Sequence, residues 1–123
     1  MILPAFVLGI ALSACPVAPD QSEPLRGAAS WYCVEGRSAC TRGHPDGLYA
    51  AAGPDLRETL GDWRGQRVDV CHGIRCVTVT LIDWCACRSR LIDLYGDAFI
   101  QLAPLSRGLV RVTIERTSQE VEP

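Results

Sequence analysis

The sequence predicts a small, mainly β domain, disulfide-stabilised, with one or two short helices. Three observations carry this reading. The second half alternates polar and apolar residues and contains a long β-branched run. Seven Cys in 123 residues are too many for an ordinary core and suit a small exported domain that supplements its core with disulfides. Hydrophobic residues make up 48% and charged residues 21%, the reverse of a disordered chain's balance, and the length fits one domain.

The charge balance excludes some classes of function. A net charge of −2 gives no basic footprint for nucleic acid. All 12 basic residues are Arg, so no lysine amine is present for Schiff-base chemistry.

Residues 1–14 read as an address. Ile2 to Ala14 is apolar and uncharged, shorter than the roughly 20 residues a spanning helix needs, and suited to the apolar part of a signal peptide. It ends in Leu12-Ser13-Ala14-Cys15, which resembles the lipobox of bacterial lipoproteins, with Cys15 as the acylated residue. Membrane contact is then expected only through that lipid. Residues 15–27 are rich in Pro, Ser, Asp, Glu and Gln and read as a flexible tether. With Cys15 acylated, six Cys remain: Cys33, Cys40, Cys71, Cys76, Cys85 and Cys87. An even number suits three disulfides.

The folded part is expected over residues 28–115. Gly27 to Cys33 is a short apolar and aromatic run, read as the first strand. Val34 to Gly47 is charged and Gly-rich, hence a loop. Leu48 to Ala52 is a compact apolar stretch, and Gly53-Pro54-Asp55 a turn. Asp55 is placed to cap a helical turn over Leu56 to Leu60, with Gly61 as its stop. Arg67 to Cys71 alternates. His72 to Arg75 reads as a four-residue hairpin loop, and Cys76 to Asp83 as a strand. Arg90 to Leu94 is a further strand, Asp97 to Ala103 an amphipathic helix ended by Pro104, and Leu109 to Glu115 the closing strand. Residues 116–123 form a polar tail. Arg64-Gly65 before Val68-Asp69-Val70 echoes Arg107-Gly108 before Val110-Arg111-Val112, as a pseudo-twofold barrel would.

The Cys pattern is partly legible. Cys71 and Cys76 face one another across the hairpin, which predicts a disulfide. A bond between Cys85 and Cys87 would be strained, so each is expected to reach a different partner, with Cys33 and Cys40 available. A zinc site using His44 or His72 lacks the paired C-x-x-C spacing. No metal and no cofactor are expected.

Five segments in order resemble known families. Ala29-Ser30-Trp31-Tyr32 resembles the opening of rare lipoprotein A (RlpA) domains, with Cys33 where those have Gly. Leu48-Tyr49-Ala50-Ala51 resembles their "L-T-A-A-H", and Val79 to Asp83 the strand ending in "N-D-R-G". Leu91-Ile92-Asp93-Leu94, followed by Ala98-Phe99 and Leu102-Ala103, is similar to the expansin pattern "F-D-L-S…A-F…I-A". Arg107 to Val112 matches the closing strand of both. The resemblance implies a six-stranded double-psi β-barrel with an open groove that takes cell-wall glycan, peptidoglycan above all. Rare lipoprotein A enzymes cleave that polymer as lytic transglycosylases, whereas expansins loosen wall polymers without hydrolysis.

Asp93 and Asp83 are the candidate acids. Each follows an apolar β-run, where a carboxylate is partly desolvated, as a general acid requires. The alternative is that one of them caps the intervening loop by accepting backbone N–H bonds. The resemblance adds Ser30 as a hydroxyl contact. Trp31, Tyr32, Trp84 and Tyr95 flank these positions; their rings would stack on sugar faces, or pack in the core. The family's catalytic His falls at Ala52, which argues against full enzymatic activity; His44 and Asp46, in the preceding loop, are the candidate substitutes. Three functions follow: a monomeric envelope lipoprotein that binds and loosens wall glycan, a septal-type lytic transglycosylase, and a non-catalytic, protein-binding envelope scaffold.

The lipobox carries its own test. Replacing Cys15 with Ser should move the protein from the membrane fraction to the soluble fraction, read by immunoblot. Equal membrane retention of both forms would remove the lipid anchor.

Overall fold

Residues 23–33 and 48–117 are described in the computed structural model of the protein. Cys15, Cys40, His44 and Asp46 lie outside the described residues. Six strands close a barrel in the order β1-β5-β2-β4-β3-β6. They are β1 (Leu25–Tyr32), β2 (Tyr49–Ala52), β3 (Arg67–His72), β4 (Arg75–Trp84), β5 (Ile92–Tyr95) and β6 (Val110–Arg116). Helix α1 covers Pro54–Leu60 and α2 covers Gly96–Phe99. The expected class, a mainly β six-stranded barrel with two short helices and disulfides, is the one observed.

The pairings have a hidden symmetry. Strand β1 pairs with β5 in parallel and β6 antiparallel, and β4 pairs with β2 in parallel and β3 antiparallel. Exchanging β1-β2-β3 with β4-β5-β6 leaves the whole set unchanged, since β2·β5 and β3·β6 map onto themselves. The Arg-Gly echo sits at equivalent places ahead of β3 and β6. Gly65 has φ 88° and Gly108 φ 72°, a left-handed conformation that favours glycine.

Alternation sorts the faces. Val68 and Val70 of β3, Val79 and Leu81 of β4, and Val112 and Ile114 of β6 point into the barrel and are buried. Asp69, between the two valines, faces outward and accepts hydrogen bonds from Thr78 Oγ1 (2.6 Å) and Thr117 Oγ1 (3.2 Å). Phe99 of α2 and Leu56 of α1 are buried in the same core.

Several boundaries differ from the sequence reading, four of them for reasons the structure shows. Strand β1 starts at Leu25, inside the stretch read as tether, because Leu25, Arg26 and Gly27 find partners in Ile114, Thr113 and Val112 of β6. The hairpin is tighter than expected. His72 pairs with Arg75, leaving only Gly73-Ile74 as the turn, and Gly73 at φ 63° supplies the positive φ that two-residue hairpins require. Helix α1 is capped by Gly53 rather than Asp55, with Pro54 at its first position, where a fixed φ and a missing N–H cost nothing. Gly61 stops it as expected, its N–H bonded to the Arg57 carbonyl at 2.9 Å. Helix α2 is one short turn, continued by bonds from Gln101 and Leu102 to the carbonyls of Ala98 and Phe99.

The disulfides divide likewise. Cys71–Cys76 joins directly opposed residues of β3 and β4, with Cα atoms 4.0 Å apart, as expected. Cys85 and Cys87 are bonded to each other, against the expectation of separate partners. Just past the end of β4 their Cα atoms stand 5.1 Å apart, inside the usual disulfide span. Cys33 is also disulfide-bonded.

Gly53 lies directly against the backbone of the segment before β5. Its N–H bonds the Leu91 carbonyl at 3.0 Å, and a Cβ there would stand 2.6 Å from the Arg90 carbonyl oxygen and 2.7 Å from that of Leu91. Both neighbours are backbone and cannot rotate away. Gly53→Ala should therefore cost about 1–3 kcal/mol by overpacking, read as a lowered denaturation midpoint. An unchanged midpoint would mean that this approach is looser than described.

Candidate functional site

The register places the candidate acids in one row. Ser30 of β1 pairs with Asp93 of β5, Asp93 with Ala51 of β2, and Ala51 with Asp83 of β4. Residues paired across strands share a face of the sheet. Ala29, Ala50, Ala52, Ile92 and Leu94, which flank the row, belong to the core, so the row faces outward. Neighbouring strands lie about 4.8 Å apart, which puts the Asp83 and Asp93 backbones roughly 10 Å from each other, with the Ala51 methyl between them.

A register shift makes this possible. Between Ala50 and Ala51 the pairing with β4 skips Ile82. Without that bulge, Asp83 would follow Leu81 into the barrel; a bulge re-aims the side chains beyond it. The row straddles the pseudo-twofold. Asp93 and Ala51 are equivalent positions, as are Ser30 and Asp83, and as are Trp31 and Trp84 one residue later.

Asp93 is the better-organised acid. Its Oδ1 accepts the Ser30 hydroxyl at 2.7 Å, and Ser30 Oγ in turn accepts from Arg90 Nη1 at 3.2 Å. Ser30 is 6% exposed, so the relay is shielded while Asp93 remains half-buried. Ser30, Trp31, Ser89, Arg90 and the segment Arg107–Leu109 line an open depression of about 600 Å³. Asp83 does a different job: its Oδ1 accepts the N–H of the next residue, Trp84, at 2.9 Å. That is the backbone-capping role held open for one of the two acids.

The aromatic residues separate. Trp84 is 51% exposed, with the Arg57 guanidinium 5.3 Å from its ring centre. Trp31 packs against the core and donates its indole N–H to the Leu105 carbonyl at 2.9 Å, while also lining the depression. Tyr95 is only 3% exposed and lies edge-on to Tyr32 and Tyr49, so in this conformation its ring offers no sugar-stacking face. Ala52, at the position of the expected His, is fully buried and points into the core.

Sequence reasoning missed two residues. Arg90 sits at the start of a run that reads as strand, and nothing local marks it as Ser30's partner. Arg57 donates from Nη1 to the carbonyls of Ala52 (2.7 Å) and Cys85 (3.0 Å). It thereby ties α1 to β2 and to the bend after Trp84. Among the described residues, no cluster of His, Cys, Asp and Glu has a metal-binding arrangement.

The closed six-stranded barrel, with the Ser30–Asp93 pair beside an open depression, has the fold class of the expansin-like double-psi β-barrels. The Clavibacter michiganensis expansin superposes with a TM-score of 0.64 at 21% identity, over 82% of this chain and 54% of that one. An Asp-to-Asn variant of it in complex with cellohexaose gives the same TM-score at 20% identity. The chain thus spans about half the length of the expansin. No protein-family model matches. Within the class the chain belongs to the papain-inhibitor family. It is 32% identical to the papain inhibitor of Streptomyces mobaraensis, over 88% of this chain and 82% of that protein. The solved Streptomyces papain inhibitor superposes with a TM-score of 0.53 at 26% identity, over 76% of this chain and 96% of that one.

Ser30 provides a stability test of the relay. Ser30→Ala leaves the half-buried Asp93 short of a donor and Arg90 short of an acceptor. It should cost about 1–3 kcal/mol. Asp93→Asn keeps an acceptor for Ser30 and should stay within about 0.5 kcal/mol of wild type. Denaturant melts decide; equal costs for the two would argue against the relay.

Proposed function

We propose that the chain is an exported glycan-binding protein whose groove over β1 and β5 takes a wall polysaccharide. The carrying observation is the Ser30–Asp93 hydrogen bond at 2.7 Å, backed by Arg90, beside an open depression. A carboxylate fixed by a shielded hydroxyl is preorganised to accept sugar hydroxyls, and Arg90 and Ser89 add donors at the rim. Trp84, exposed and steadied by Arg57, offers an apolar ring at the equivalent end of β4. The expansin variant in complex with cellohexaose shares this fold. Disulfides suit an exported setting. In the finer reading the glycan is peptidoglycan, Cys15 carries the lipid anchor, and the action is loosening rather than cleavage.

Cleavage as a lytic transglycosylase has weaker support. Ala52 gives no imidazole. His72, the one His among the described residues, sits on β3, which does not pair with β5, and is bonded to β6.

A second reading has its own observation. Membership in the papain-inhibitor family, across most of both chains, favours inhibition of a papain-like cysteine protease. This makes the protein-binding alternative concrete.

One pair of assays separates the readings. Wild-type protein should pellet with insoluble peptidoglycan or cellulose, and Asp93→Asn should bind at least about tenfold more weakly, the loss of one charged hydrogen bond. Asp83→Asn should lose less. No soluble muropeptides should appear. Failure of the wild type to pellet with either polymer would remove the glycan reading. Papain inhibition that is unaffected by Asp93→Asn would support the second.

A further inference from the structure

Among the described residues, one apolar side chain at a stapled turn stands almost wholly in water. Ile74, at the tip of the β3–β4 hairpin, is 98% exposed. The hairpin beneath it is held three ways. Cys71–Cys76 staples the strands two positions from the turn. Gly73-Ile74 is the shortest loop such a hairpin uses. His72 Nδ1 donates to the Arg111 carbonyl at 2.8 Å, fixing the turn to β6. None of these constraints serves the groove at Ser30 and Asp93.

A single exposed Ile is ordinary, but this one has company. Arg75, the next residue, lines a depression of about 520 Å³ with Ile100, Leu102, Ala103, Pro104 and Leu105, and Ile100 is itself 55% exposed. On the hairpin's other side, Arg26 and Arg111 line a second depression with Cys71 and Gly73. The tip is therefore an apolar wedge between an apolar shelf and a basic flank.

We propose that this hairpin is the element that enters the substrate cleft of a papain-like cysteine protease, with Ile74 as its buried anchor. The inference rests on the inhibitory reading of the family. Its physical basis is preorganisation: a loop already fixed in its bound shape loses little freedom on binding, so more of the contact energy appears as affinity. Inhibitors of proteases use interfaces of ordinary size, in which a few buried anchors carry most of the energy. Arg75, Arg26 and Arg111 fit a cleft with an acidic rim. The groove at Asp93 stays open to glycan.

The test measures papain inhibition by the purified full chain carrying Ile74→Asp, with Ile74→Ala as a second variant. So exposed a residue should not affect folding. The inhibition constant should rise at least about tenfold for Ile74→Asp and by less for Ile74→Ala, while pelleting with insoluble glycan stays at the wild-type level. If the wild type inhibits papain and both variants inhibit equally well, the hairpin is not the inhibitory element, though the family reading stands. If the wild type leaves papain untouched, the inhibitory reading fails and the hairpin inference fails with it.

Discussion

The antiparallel pairing of β2 with β5 is the contact on which barrel and site both depend. Each strand has only four residues, yet the pair lies on the pseudo-twofold and joins the two halves of the barrel. Ala51 opposite Asp93 marks its centre. On either side, β1 pairs in parallel with β5 and β4 in parallel with β2. So short a ladder must be packed closely. The run Ala50-Ala51-Ala52 followed by Gly53 allows this, because no side chain keeps β2 from β5 or from the Arg90–Leu91 backbone.

That close packing also shapes the chemistry. Near-symmetry gives two equivalent half-sites, but side chains break it. Asp93 stands where its mate is Ala51, and Ser30 where its mate is Asp83. One half holds a hydroxyl hydrogen-bonded to a carboxylate. The other holds a carboxylate turned back onto its own strand end. A single well-placed acid results, rather than two acids of equal standing. Binding needs only one; hydrolysis usually needs a second carboxylate.

Local signals determined how much could be read from sequence. The strands β3 and β4 were legible because alternation and β-branching are local properties, and Cys71–Cys76 followed from their hairpin. The Arg-Gly echo was legible too, since a left-handed turn calls for Gly wherever it recurs. Asp93 and Ser30 emerged through family resemblance, and the structure brings them together. Arg90 and Arg57 were not legible. Their partners lie 60 and 28 positions away, and a long side chain leaves no periodic trace of where its end goes. Cys85–Cys87 was not legible, because a bond between Cys residues two apart reads as strained, and no local signal shows their Cα atoms to be 5.1 Å apart.

The two surfaces place different demands on the fold. A glycan is long, polar and repetitive, so a groove that binds it can be shallow and open, with its few polar groups fixed by the barrel wall. A protease cleft is a recess, and what enters it must project and keep its shape without support from a core. The first demand is one the barrel wall suits, since Asp93 on β5 is flanked by the buried Ile92 and Leu94 and held by the buried Ser30. The second demand is one the β3–β4 turn suits, because the Cys71–Cys76 disulfide ties the two strands together just before it. The stapled hairpin and the depression at Ser30 can therefore vary separately. A substitution at Ile74 need not disturb Asp93, because the two share no hydrogen bond, no strand pairing and no depression.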